Sequence, residues 1–394
     1  MRTPSPYGWI SQYFLGFFFA YGVYLPFWAL WFEEQGISAT DIGVLVGIGF
    51  ATRCVANLVI TPRIHKAEHL LPALRWLSLA ALLFIAFHFF TGGSFWLMAL
   101  ATVLFNLCCG PIVPLSDALA NYYSRLKMLD YGRTRLWGSI AFIGGSTVVG
   151  YLVSLYGSDM ILYTALAGVL FSLVISMRNI STMPVTQNRH QAERPKVSQL
   201  LREWPVIKFL TLIALIQGSH AAYYSFSAIH WRGAGYSADI IGYLWSLGVV
   251  AEVMVFAFSK RFFSGWTLRA LFLTASIGVM VRWGITASTT ELYALVLVQL
   301  LHGVTFAVAH IAAIQYIQQE EEHKMVALQA LYNAIPLGAV IALVTTLSGW
   351  GYDNWGANVF WAMALMGLLS LFVKVDPQGS STIDVNKAEA KAQN

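Results

Sequence analysis

Runs of about twenty apolar residues, broken by short polar turns, recur twelve times between positions 9 and 374 of this chain. The hydrocarbon core of a bilayer is roughly 30 Å thick and takes about 20 residues of helix to cross. No water is available there to pair with the backbone, so each run must satisfy its own N–H and C=O groups, as a helix does. Hydrophobic residues make up 57% of the 394 and charged residues only 11%, a balance no water-soluble core of this length could absorb. The expected fold is therefore an all-α integral membrane protein.

Spanning helices are predicted at about 9–32, 41–60, 74–90, 95–123, 134–155 and 159–177, then 206–230, 238–259, 267–287, 291–318, 326–348 and 355–374. The polar stretch 178–205 reads as a cytoplasmic linker between an N-terminal six-helix bundle (1–177) and a C-terminal one (206–375), with 376–394 as a disordered cytoplasmic tail. The second half opens on a copy of the first. At a constant offset Tyr24 meets Tyr223, Phe27 meets Phe226, Gly36 meets Gly235, Ser38 meets Ser237, Gly43 meets Gly242 and Gly49 meets Gly248, and the register closes by setting Arg53 against Glu252. Two pseudo-symmetric six-helix bundles are the natural outcome of such a parallel repeat. Pro111 and Pro114 should bend or break the fourth helix.

Charge fixes the orientation. With the N-terminus cytoplasmic, all but three of the 24 basic residues fall on the cytoplasmic side; Arg53 and Arg282 are intramembrane and Arg232 is outside. Both termini are then cytoplasmic, and a nucleic-acid partner is excluded. Cys54, Cys108 and Cys109 all lie in apolar segments and imply no disulfide framework. The first run lacks a small-residue cleavage site and is read as a retained helix.

An ionised side chain in a spanning helix costs at least roughly 2.5–3.5 kcal/mol unless it is paired or wet, so such residues mark function or structural pairs. Five stand out: Arg53, Asp117, Arg135, Glu252 and Arg282. Glu252 lies among valines and suits a proton carrier or a structural ion pair. Arg53 and Arg282 suit an anionic substrate or a buried carboxylate. Asp117 and Arg135 flank one short loop, as a gate pair or as substrate contacts. Tyr13, Phe17, Tyr21, Tyr24 and Trp28, matched in part by Tyr223 and Phe226, form either a stacking wall for a flat substrate or lipid-facing anchors. His302 and His310 share a helix face, but no third ligand accompanies them, so no metal is expected. No G-x-x-x-x-G-K-[ST] loop is present to support ATP-driven transport.

Several strings, PLSDALAN (114–121), LDYGRTRLWGS (129–139), HAAYYSFSAIHW (220–231) and GYLWSLGVVAEV (242–253), resemble the major facilitator superfamily. Within it, the resemblance is to the proton-symporter branch of lactose permease and the nucleoside symporters, and to enterobacterial permeases for 3-phenylpropionate. It implies a bacterial inner-membrane, multi-pass symporter working by alternating access as a monomer, with a small substrate, a proton and the lipid bilayer as partners and the proton gradient in place of a cofactor. By the same resemblance Asp117 and Arg135 correspond to substrate-binding positions, and Arg282 and His302 to proton-coupling positions. Thr305 stands where that branch carries its protonated carboxylate, which leaves Glu252 as the substitute. Thr61-Pro62-Arg63 replaces the usual loop motif between the second and third helices. On this reading Tyr24, Trp28, Tyr223 and Phe226 stack on the substrate ring while its carboxylate meets Arg135 or Arg53. A sugar or nucleoside is the alternative substrate, and an integral membrane enzyme or sensor the alternative class.

Overall fold

The computed structural model describes residues 3–186 and 197–375; the middle of the expected linker and the tail from 376 lie outside the described residues. The first half contributes α1 (Pro6–Glu34), α2 (Ala39–Val59), α3 (Ala67–Phe87), α4 (Phe95–Arg125), α5 (Tyr131–Tyr156) and α6 (Asp159–Ser176). The second contributes α7 (Trp204–Gly233), α8 (Ala238–Ala257), α9 (Leu268–Ser288) and α10 (Leu292–Gln318). The last apolar stretch, Lys324–Ser370, is helical for 47 residues. At 1.5 Å per residue it would reach about 70 Å, more than twice the bilayer core, so it cannot be a single crossing. It divides at Gly356, whose φ of 57° resists an L side chain, into α11 (Glu322–Ala334, a π-helical Ile335–Val340, and Ile341–Trp355) and α12 (Val359–Ser370). The described residues therefore contain eleven helical stretches long and apolar enough to cross a membrane, the last of which divides in two, and no strand.

Local geometry departs from expectation in three places. Pro111 and Pro114 sit inside a continuous α4. Conversely, α7 is interrupted between Gly218 and Ala221. Side chains close the gap: Ser219 Oγ donates to Ile216 O at 2.6 Å and His220 Nδ1 donates to the same carbonyl at 3.2 Å, replacing partners the backbone lost. A π-helical turn at Gly303–Val308 widens α10. Such a turn holds more residues than an α turn. Residues four apart then stay aligned, and the rings of His302, Phe306 and His310 stack at 5.3 and 6.4 Å with interplanar angles of 13° and 4°.

Each half keeps the repeat in three dimensions. Gly36 and Gly235 turn the chain at φ of 80° and 93°, and Ser38 and Ser237 cap α2 and α8 with nearly identical backbone angles. Central α1 packs on α5 and α6. Most of its aromatic stripe is consequently protein core rather than lipid contact: Tyr13, Phe17, Tyr24 and Trp28 are all buried.

Contacts between the halves gather on the face opposite the N-terminus, here called the far face. Glu34 pairs with Arg232, Thr40 Oγ1 donates to Asp353 at 2.6 Å, and Ser154 Oγ donates to Asp239 at 2.9 Å. Deeper along the same seams, Ser246 Oγ lies 2.9 Å from Ser146 Oγ and 3.0 Å from Thr147 Oγ1. The α2–α11 seam is closed by bare backbone: a Cβ on Gly43 would sit 2.5 Å from Gly349 Cα. Small residues at such crossings let dispersion and backbone contact substitute for a hydrophobic drive that lipid does not supply. A Gly43→Leu substitution is expected to wedge α2 from α11. In a background lacking Cys54, Cys108 and Cys109, labelling of a Thr345→Cys reporter, at a fully buried position on the α11 side of that seam, by a water-soluble maleimide should then rise several-fold, whereas unchanged labelling would show that the seam does not hold the far face shut.

Candidate functional site

Between the halves lies a cavity of about 300 Å³. From the first half it is walled by Phe18, Tyr21, Leu25, Phe50, Arg135 and Phe142, and from the second by Tyr223, Tyr224, Trp245, Val249, Glu252, His302 and Phe306. The volume lies at the lower end of the roughly 300–1,000 Å³ of small-ligand pockets, and the mix of many rings with a few ionisable groups suits an amphipathic organic molecule. A narrow arm, with room of about 10 Å³, adjoins it and shares Leu25, Phe50 and Tyr224 with it. The arm is also lined by Tyr24, Trp28, Arg53 and Asn106.

On the second-half side the ionisable groups form one chain. Arg282 is fully buried. Its Nε donates to Val298 O at 2.9 Å, and its Nη1 donates to Thr305 Oγ1 and to His302 Nδ1, both at 3.0 Å. A guanidinium can only donate, so His302 Nδ1 is the bare nitrogen and Nε2 carries the hydrogen. That Nε2 faces Glu252 Oε2 at 3.6 Å, a charge contact longer than a closed hydrogen bond. His220 is fixed by the same logic. Its Nδ1 donates to backbone carbonyls, so in the neutral ring Nε2 accepts from the Thr305 hydroxyl at 3.0 Å. Tyr223 covers the guanidinium, its ring centre 4.7 Å from Arg282 Cζ, and donates from its hydroxyl to Gln299 Oε1 at 2.8 Å.

On the first-half side there are two cations in different circumstances. Arg135 Nε is 3.8 Å from Asp117 Oδ1, and its guanidinium lies 4.1 Å over the Phe18 ring. Asp117 also accepts from Tyr131 Oη at 3.2 Å. Arg53 has no carboxylate against it among the described residues: its Nε donates to Asn106 Oδ1 at 2.6 Å, and Tyr21 and Tyr24 flank it at 4.9 and 5.0 Å.

The residues predicted from the sequence thus separate by place. Arg135, Tyr223, Glu252 and His302 line the cavity, and Arg53, Tyr24 and Trp28 line the arm. Asp117 braces Arg135 from outside the cavity wall, and Arg282 stands behind His302. Phe226 lies elsewhere, stacked on Tyr352 at 4.8 Å. Asn106, Phe50, Tyr224 and Trp245 were not singled out. Asn106 carries a readable signal, a lone amide in an apolar stretch of α4, whereas the three rings look like any other membrane aromatic until the helices are assembled.

A bundle of spanning helices in two halves, closed on one face around a cavity with ionisable walls, is the architecture of a membrane transporter. The MFS_1 like family model matches residues 7–363, and the chain belongs to that family. It is 42% identical to the "Probable 3-phenylpropionic acid transporter" of Escherichia coli (strain K12), over 93% of this chain and 96% of that protein. It is 26% identical to the "Maltose permease" of Geobacillus stearothermophilus, over 87% and 86% of the two chains. Among solved structures, the nucleoside transporter NupG superposes with a TM-score of 0.78 at 16% identity, covering 93% of this chain and 97% of that one, which extends the likeness in fold.

Thr305 is the joint of the second-half chain, accepting from Arg282 and donating to His220. Thr305→Val keeps its shape and strands both partners. Each buried group left unpaired costs about 1–3 kcal/mol, so the thermal midpoint of the purified protein should fall by several degrees, with Thr305→Ser restoring most of it.

Proposed function

We propose that this transporter imports an aromatic carboxylate such as 3-phenylpropionate together with a proton, by exposing its cavity alternately to the two sides of a bacterial inner membrane. The observation that carries the reading is the cavity itself, a ring-walled space between the halves in which Glu252 is the sole carboxylate lining the wall among the described residues. A carboxylate there is charged or neutral according to its proton, and a neutral group crosses an apolar barrier at far lower cost than an ion. His302 and Arg282 behind it offer a donor and a fixed positive charge to the ionised form.

The 42% identity to a protein named for 3-phenylpropionic acid supports the substrate class. So does the placement of Asp117, the residue best suited to sugar or nucleoside hydroxyls, which is turned to Arg135 and Tyr131 and does not line the cavity. Orientation follows from loop charge. The basic loops lie on the face that carries the N-terminus, which makes that face cytoplasmic and the sealed far face external. On that reading both termini lie in the cytoplasm.

Purified protein reconstituted into liposomes should accumulate labelled 3-phenylpropionate when the outside is made acid, and a protonophore should abolish accumulation. Absence of gradient-stimulated uptake would sink the reading. Glu252→Gln should lower accumulation at least tenfold while leaving exchange of labelled for unlabelled substrate intact. If accumulation persists, the proton travels on another group.

A further inference from the structure

Three arginines lie near the cavity, and they differ in what already neutralises them. Arg135 has Asp117 at 3.8 Å. Arg282 is fully buried and is separated from the cavity by His302 and Tyr223, which line it. Arg53 alone lines accessible space with no protein carboxylate against it among the described residues, and holding a cation in that state is costly unless something else supplies negative charge.

Its neighbours orient it without cancelling it. Asn106 is fully buried, and its Nδ2 donates both to Thr102 O at 2.8 Å and to Tyr24 Oη at 3.0 Å. Those two bonds fix the amide so that Oδ1 can only face Arg53, where it takes the Nε hydrogen at 2.6 Å. Two tyrosine faces hold the guanidinium plane. With Nε engaged, the guanidinium keeps its terminal donors beside the Tyr21 side chain, and a fork of that kind can grip a carboxylate with two parallel hydrogen bonds. A structural ion pair would place Asp at position 106; an amide of the same shape keeps the charge available. The arm beside Arg53 has space near that of a single water, too little for a ring, while the adjoining cavity is large enough for one, so only the head of a ligand could approach Arg53 and its ring would stay in the cavity.

We propose that Arg53 is the seat of the transported acid's carboxylate, held ready by Asn106, with the aromatic ring of the acid lying in the main cavity beyond Phe50 and Tyr224. This assignment rests on the aromatic-acid reading above, and its test separates the two. Binding of 3-phenylpropionate and of its uncharged analogue 3-phenylpropionamide is measured by calorimetry on the full-length protein in lipid nanodiscs. The wild type should prefer the acid at least tenfold. Arg53→Gln and Asn106→Asp, the latter supplying an internal carboxylate at nearly unchanged volume, should each erase that preference and keep amide binding within a few-fold. If the wild type binds neither compound, the aromatic-acid reading fails and the assignment with it. If the wild type prefers the acid and Asn106→Asp still does, the carboxylate sits elsewhere and the assignment alone is overturned. Loss of both ligands in Asn106→Asp would likewise overturn it, by making Asn106 a purely structural residue. Should Arg53→Gln fail to fold, the Asn106→Asp result decides.

Discussion

A guanidinium with no exposed surface and, among the described residues, no carboxylate beside it sets the terms for the second half of this protein. Arg282 donates from Nε and Nη1, while Nη2 has no hydrogen-bond partner, so the neighbours it does engage must present acceptors: a backbone carbonyl, a hydroxyl, a bare imidazole nitrogen. That demand fixes the tautomer of His302, which in turn aims its remaining N–H at Glu252. It also recruits Thr305, and through it His220, whose other nitrogen caps the break in α7. One charge thereby ties together α7, α8, α9 and α10.

The first half solves the same problem differently. Its two cations rest on ring faces and on single oxygen partners, and neither is sealed away. The cavity lies between these two regimes. Its walls are aromatic because rings give lateral packing without polar atoms to satisfy, and its ionisable groups come from opposite halves, so any motion of one half against the other changes their separation.

The fold was almost fully legible in the sequence, because the bilayer leaves so few options. Helix positions and the repeat follow from spacing and from backbone satisfaction. The interruption of α7 and the wide turn in α10 were not legible, since their side chains find distant partners only after packing: Ser219 with Trp283 and His220 with Thr305 in one case, three stacked rings in the other. The site was legible by charge and illegible by shape. Intramembrane ions announce themselves, so Arg53, Arg135, Glu252 and Arg282 could be named in advance. Which of them face open space depends on helix rotation, and what orients each depends on partners as distant in sequence as Asn106 from Arg53. Phe226 shows the limit of the repeat: it shares a register with Phe27, yet its ring is committed to Tyr352.

Gly43 and Gly242 descend from one position of the repeat, yet they meet unlike surfaces. Gly43 lies against the backbone of α11, and Gly242 against α5 beside the Ser146 and Ser246 hydroxyls. Within the membrane the first seam is held by dispersion between bare chains, the second by hydroxyl bonds that have no water to replace them once parted. Inherited symmetry has produced a clasp with a loose side and a tight side, and the tight side is the natural pivot.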